Sequence, residues 1–223
     1  MNEDKNIIVG FDAKRVVRNG TGLGAYGRNL VNDLAALYPN AQLLLYAPDA
    51  GREDLARQVK SAPNLRMVYP KNAKNALKKA AWRSGGMVKD LLRDGVQVFH
   101  GLSGELPKGV KHAGIDAVVT IHDLIFMRHP EFYHWWDALI YRWKFHKTLK
   151  EANRIIAISE CTKRDIMKYG HYPEERISVI YQSCDTRFRE RATPENLNEV
   201  RQRYALPSRF VLNVGTIEAR KNV

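Results

Sequence analysis

Short apolar runs alternate with amphipathic stretches along most of the chain. Ile7–Phe11, Gln42–Tyr46, Leu65–Val68, Val96–His100, Ala117–Ile121, Ile155–Ile158 and Ile177–Tyr181 have the length of strands, and most are apolar at consecutive positions. A strand covered on both faces has that pattern, as in a parallel sheet with helices on each side. Helices are predicted between them at Tyr26–Leu37, Arg52–Lys60, Ala73–Arg93, Phe132–Ala152 and Glu160–Tyr169. In the first, Leu30, Leu34 and Leu37 recur at spacings of four and three, which places them on one helical face. The repeated β-α-β order predicts an α/β fold, a doubly wound parallel sheet flanked by helices with right-handed crossovers. Alternation stops near Ile180. Residues 182–207 are polar, with one short helical stretch at Glu195–Tyr204, and read as a linker. Phe210–Val214 then predicts a new strand, followed by Gly215.

The 223 residues carry 36 Lys and Arg against 24 Asp and Glu, a net charge of +12. Such a surplus suits anionic partners, whether nucleic acid, phosphorylated substrates or an acidic membrane face, and equally a basic, solvated surface. The longest apolar runs, such as Leu43–Ala47, fall far short of the roughly 20 residues needed to span a bilayer. The N-terminus runs into a strand pattern without a signal-peptide core. Cys161 and Cys184 are expected to be reduced in a cytosolic protein. No zinc-ligand spacing occurs, and no bound metal or cofactor is expected.

Candidate chemistry begins with Gly20-Thr21-Gly22-Leu23-Gly24-Ala25-Tyr26-Gly27, read as a loop leading into a helix at Arg28. Successive backbone N–H groups before a helix make an anion site. The stretch formally matches GxGxxG, with Asp49 22 residues after Gly27. A dinucleotide fingerprint, however, places its first glycine directly after the strand. Here ten residues separate Phe11 from Gly22, which leaves a phosphate contact or a structural loop. His122 and Asp123 directly follow the strand Ala117–Ile121, and His100, with Ser103 nearby, ends Val96–His100 in the same way. Ligands of parallel α/β sheets bind at such strand ends, although a His–Asp pair also serves to start a helix. Val214–Asn222 joins a strand, a glycine turn and the cations Arg220 and Lys221, which fits either a diphosphate clamp or a solvated pair.

Two further stretches stand out. Lys71–Arg93 holds seven cations against Asp90 alone, a surplus of six that is half of the net charge. With Leu77, Ala81, Val88, Leu91 and Leu92 as a stripe, it suits an anionic membrane or a solvated helix packed on the core. Tyr133, Trp136, Ile140 and Trp143 lie at helical spacing, and buried packing is the expectation for them, with stacking on a sugar or base as the alternative.

Taken in order, Asp12-Ala13-Lys14, Thr21–Tyr26, Phe99-His100, Leu106-Pro107, Ile121–Leu124, Ile155–Thr162, Ile177–Tyr181 and Val214–Asn222 resemble glycosyltransferase family 4, retaining enzymes of the GT-B fold. The match looks most like the mannosyltransferase-like branch. The resemblance implies a Rossmann-like acceptor-side domain over residues 1–181 and, at 208–223, the first strand and turn of a truncated donor-binding domain. It implies that Gly22, Gly24, Arg220 and Lys221 contact the donor diphosphate. It implies that His122 meets the donor sugar as the catalytic residue, and that His100, Ser103, Asp123 and Tyr26 belong to the acceptor or sugar cleft. Thr216 stands where many relatives carry an arginine, and the family's paired glutamates fall outside these residues. The implied partners are a nucleotide-sugar donor and a glycan or lipid-linked acceptor, with no nucleic acid and no metal. The expected location is cytoplasmic, and the basic segment Lys71–Arg93 suits the inner face of an anionic membrane.

On this reading the 223 residues alone are inactive, and Phe210–Val214, lacking its own sheet, is expected to be disordered or to pair non-physiologically through 208–223. The competing class is a basic α/β module that grips nucleic acid or membrane without catalysis. Steep salt dependence would mark the nucleic-acid binder.

Overall fold

The computed structural model describes residues 7–71, 73–185 and 188–218. The chain divides into two compact units, Met1–Gln182 and Ser183–Val223. The first is built on a seven-stranded sheet, with β1 (Ile8–Asp12), β2 (Gln42–Tyr46), β3 (Leu65–Val68), β4 (Val98–Gly101), β5 (Asp116–Ile121), β6 (Arg154–Ala157) and β7 (Ile177–Val179). Each strand lies within two residues of its predicted bounds. All neighbours are parallel, in the order β3-β2-β1-β4-β5-β6-β7. The chain runs outward from β1 through β2 to β3, then returns to set β4 on the other side of β1. The direction of winding therefore reverses between β1 and β4, where open α/β sheets form a crevice at the carboxyl ends of their strands.

Helices cover both faces. On one face, α1 (Lys14–Arg18), α2 (Gly22–Leu37) and α3 (Glu53–Ala56) enclose Phe11, Val16, Val17, Val31, Leu43 and Leu45. On the other, a π turn (Trp82–Gly86), which follows the surface helix α4 (Ala76–Ala81), and α5 (Met87–Arg93) join α6 (Ile125–Arg128), α7 (Trp135–Glu151) and α8 (Glu160–Gly170) over Leu44, Tyr46, Phe99, Val119 and Ile155. Leu43 and Leu45 face one core while Leu44 and Tyr46 face the other, the two-residue period of a strand buried on both sides.

The predicted helix Ala73–Arg93 is interrupted at Trp82–Gly86, where Ser84-Gly85-Gly86 weakens helical propensity. The apolar stripe proposed there does not form. Leu91 is buried, but Leu77 is 79% and Leu92 54% exposed. Nor is the basic character all free, since Lys79 pairs with Asp49, Arg83 with Asp12 and Glu105, and Arg93 with Asp90 and Asp94.

Burial of the aromatic stretch is also overturned. Trp135, Trp136 and Trp143 are 57%, 56% and 63% exposed, whereas Phe145, Thr148 and Leu149 near the other end of α7 are buried. A 17-residue helix is about 25 Å long, while the four-residue strand β6 that follows covers only about 13 Å. The first turns of α7 therefore overhang the carboxyl edge of the sheet.

In the second unit, α9 (Pro194–Arg203) is capped by Thr193, whose side chain accepts from the Asn196 N–H, and buries none of its residues. Phe210–Val214 forms no strand among the described residues, and Val211 is 99% exposed. A strand exists only through a partner for its backbone groups, and the only regular element this unit offers among the described residues is a helix. Arg220 and Lys221 lie outside the described residues.

Candidate active site

A cavity of about 250 Å³ opens where β4 and β5 end. Ser103, His122 and Asp123 line it, joined by Leu23 from the first turn of α2 and by Tyr133 and Tyr141. His122 sits one residue past β5 and is held at both ring nitrogens. Nε2 lies 2.9 Å from the Leu102 carbonyl, and Nδ1 lies 2.8 Å from the Gln182 amide nitrogen. A carbonyl only accepts, so Nε2 carries the proton and Nδ1 offers its lone pair to Gln182. Burial lowers the imidazole pKa below its ordinary value, against the Leu102 carbonyl and the Asp123 charge, which favour the cation. The ring is a neutral group of fixed tautomer, braced edge-on by Tyr26 at 4.9 Å between centroids. Asp123 accepts from the Ile125 N–H through Oδ1 at 3.2 Å, and so also starts α6.

Two of the predicted cleft residues lie one layer below. His100 is 7% exposed, and its Nε2 is 2.8 Å from the hydroxyl of the fully buried Thr120. The Tyr26 phenol reaches the same hydroxyl at 3.0 Å. Neither His100 nor Tyr26 lines the cavity. Burial, and then the nearby His122, lower the His100 pKa to about 4. His100 and Tyr26 thus support β5 and the His122 ring through Thr120, which carries no sequence signal beyond its place in a strand.

The glycine stretch is helical, which corrects the loop expected before Arg28, since α2 begins at Gly22. Asn19, not Thr21, caps it. Its Oδ1 accepts from the Thr21 N–H, the Thr21 hydroxyl and the Gly24 N–H at 2.9, 2.7 and 3.1 Å. Arg28 fastens the same turn by donating to the carbonyls of Val16 and Asn19. A Cβ at Gly24 would lie 1.8 Å from the Asn19 carbonyl oxygen, so this position admits only glycine on packing grounds. Gly22 is exposed with open space beside it. Asp49, the acid a dinucleotide fingerprint would use, is bound by Arg18 and Lys79.

A second cavity, of about 310 Å³, lies at the β1/β4 reversal, lined by Asp12, Lys14, Arg83, Glu105 and Lys144 among others. Asp12 ends β1 and accepts from Arg83 at 2.5 Å. Arg83 also donates to Glu105 at 3.1 Å, and Glu105 in turn pairs with Lys144 at 3.0 Å. Burial works against the Arg83 charge, and the two carboxylates more than offset it. At Glu105 burial favours the acid form, and Arg83 and Lys144 override it. Gly101 makes this possible, because the Glu105 carbonyl oxygen stands 2.2 Å from where a Cβ would be. Sequence reasoning missed this chain of charges, as it missed Gln182. Its successive partners are 71, 22 and 39 residues apart and meet only through the fold.

The parallel sheet flanked by helices, with cavities at its carboxyl edge, is a Rossmann-like fold of the kind found in GT-B glycosyltransferases. The fold is shared with the Anabaena protein Alr3699/HepE, solved in complex with UDP and glucose (TM-score 0.57, 16% identity, 90% of this chain and 50% of that one). It is shared also with a glycosyltransferase from Rickettsia africae (TM-score 0.56, 13% identity, 92% and 51%). The chain belongs to Glycosyltransferase Family 4, whose profile matches residues 20–188. Over 128 residues it is 32% identical to O-antigen chain mannosyltransferase B of Escherichia coli, a match covering 56% of this chain and 32% of that protein. The chain thus spans about half the length of the solved structures, and its matched stretch about a third of the curated relative. Among the described residues no helix is long and apolar enough to cross a membrane.

Proposed function

We propose that this chain is the acceptor-side domain of a retaining hexosyltransferase, which moves a sugar from a nucleotide diphosphate to a glycan or lipid-linked acceptor in polysaccharide or glycoconjugate biosynthesis. The observation that carries the reading is the neutral, doubly anchored His122 at a strand end of a family 4 domain, in a cavity shared with Ser103 and Asp123. Its N–H and lone pair are suited to orienting a sugar hydroxyl or carbonyl once Gln182 or Leu102 yields its place. Ser103 and Asp123 supply further hydroxyl and carboxylate contacts to the acceptor. In the first turn of α2 the Thr21 and Gly24 N–H groups are taken up by Asn19, so Gly24 holds the turn in shape and the exposed Gly22 and the neighbouring Leu23 offer their backbone N–H groups toward the diphosphate. Arg220 and Lys221 contact the same diphosphate from a second, donor-binding domain. Cations and backbone amides neutralise the leaving group, so the chemistry requires no metal.

Because the chain corresponds to half of the solved structures, we assign most donor contacts to that second domain and expect no transfer by the 223 residues alone. The domain works at the cytoplasmic face of an anionic membrane. The free lysines of Lys71–Lys89 and the exposed Trp135 and Trp136 support that placement, since indole rings settle at lipid interfaces and lysines are drawn to anionic headgroups. The test is transfer from a panel of nucleotide sugars by a protein in which this sequence continues into a donor-binding domain, beside the 223-residue chain as control. Transfer by the first and none by the second is expected. Absence of any transfer or donor hydrolysis in the first contradicts the assignment.

A further inference from the structure

The cavity at the β1/β4 reversal has chemistry that the His122 site does not use. Its charged lining is Lys14, Arg83, Lys144 and Lys147 against Asp12 and Glu105. Arg83 and Lys144 are matched by the two carboxylates. Among the described residues, no carboxylate lies within ion-pair distance of Lys14 or Lys147. The Lys147 ammonium has only the Ser84 hydroxyl, at 3.5 Å, and the face of Trp143, 5.3 Å from the ring centroid. Partial burial, and then Arg83, lower the Lys14 pKa below its ordinary value, against Glu105 and Asp12, which favour the cation. The cavity therefore keeps a surplus of two positive charges over a rigid, internally neutral chain of ion pairs. One wall is apolar, built from Met87, Leu106, Pro107 and the ring of Trp143. A volume of about 310 Å³ lies at the small end of the range for small-molecule sites, roughly 300–1,000 Å³.

We propose that this cavity binds an anionic sugar, a hexose carrying a phosphate or a carboxylate, with Lys14 and Lys147 on the anion and Trp143 against the ring. The place in the fold supports it, since the crevice where strand order reverses is the general ligand site of open α/β sheets. The Glu105–Lys144 pair is the common wall of this cavity and of the one holding His122. A sugar anchored here by its charge lies next to the proposed transfer site, as the charged part of an acceptor. That last step rests on the glycosyltransferase reading, whereas the binding site itself does not.

The test is isothermal titration calorimetry of the 223-residue chain with glucose 1-phosphate, glucuronate, glucose and UDP. Saturable binding of glucose 1-phosphate or glucuronate is expected, at least ten-fold tighter than glucose, and the tighter of the two identifies the anion. A Lys14→Gln/Lys147→Gln double variant should lose at least ten-fold in affinity with an unchanged thermal unfolding midpoint, because neither lysine holds an ion pair. The proposal is overturned by no saturable binding of either anion, by equal binding of glucose, by full affinity in the double variant, or by UDP displacing the sugar anion. Loss of this site with sugar transfer intact would leave the assigned activity standing, and binding without transfer would leave the site standing.

Discussion

Gln182 and His122 meet through one hydrogen bond of 2.8 Å, from the glutamine amide nitrogen to Nδ1 of the imidazole. Sixty residues separate them in sequence, and the bond ties the end of the first unit to the end of β5. The Leu102 carbonyl holds the proton on Nε2, and the Gln182 amide, donating to Nδ1, reinforces that tautomer. A donor at Nδ1 stabilises the neutral ring, so Gln182→Leu should raise the His122 pKa. One net hydrogen bond of about 1 kcal/mol corresponds to somewhat under one pH unit. Heteronuclear NMR of the imidazole nitrogens checks both points. The unmodified chain should show a neutral, Nε2-protonated ring at pH 7, and the variant a higher titration midpoint.

Acid should destabilise the fold through His100. Its native pKa is near 4, against an ordinary value of 6.5. Below pH 6.5 the unfolded chain takes up a proton that the native chain refuses, so stability is lost as pH falls from about 6.5 to about 4. A shift of this size amounts to about 3 kcal/mol across that window. His122, shifted the same way, adds to the slope. Urea denaturation at pH 7, 6 and 5 should show a falling midpoint. His100→Leu, though less stable at pH 7 for loss of the Thr120 partner, should show a flatter dependence.

The two glycines at the start of α2 should respond in opposite ways. Gly24→Ala forces a Cβ against the Asn19 carbonyl and should cost about 3 kcal/mol or more. Gly22→Ala meets open space and removes backbone freedom from the unfolded chain, so stability should change little or rise by about 0.5 kcal/mol. Thermal unfolding of the two variants side by side makes the comparison.

Membrane attachment should depend on both charge and indole. Co-sedimentation with anionic vesicles should exceed that with neutral ones, and Lys74→Glu with Lys78→Glu should weaken it. Lys79 is left out because it is bound to Asp49. Trp135→Ala with Trp136→Ala should weaken binding to both vesicle types. Equal sedimentation with neutral and anionic vesicles would remove the electrostatic contribution.

What the sequence revealed follows from which forces act locally. The seven strands were legible because a parallel strand buried on both faces must be apolar at nearly every position, as Leu43–Ala47 is. His122 and Ser103 could be placed at the cavity because His122 follows β5 directly and Ser103 lies two residues past β4. The helical start at Gly22 was not. Glycine is a poor helix former, and its use there answers to the approach of Asn19, which periodicity does not register. The short helix α1 and the chain Asp12–Arg83–Glu105–Lys144 were hidden for related reasons. One has too few residues to display a period, and the other is assembled from four distant segments. The exposed tryptophans of α7 misled because helical spacing reports a shared face and not what covers it. Here the helix outruns the strands it packs on.

On the proposed function, sugar transfer takes place in the cavity around His122. The most direct measurement is the initial rate of transfer from a nucleotide sugar by a protein carrying this sequence together with a donor-binding domain, compared with its His122→Ala variant. A loss of at least about 100-fold is expected in the variant, the scale of a lost positioning or proton-handling group, with an unchanged thermal unfolding midpoint. Transfer at the unsubstituted rate by a folded His122→Ala protein would contradict it.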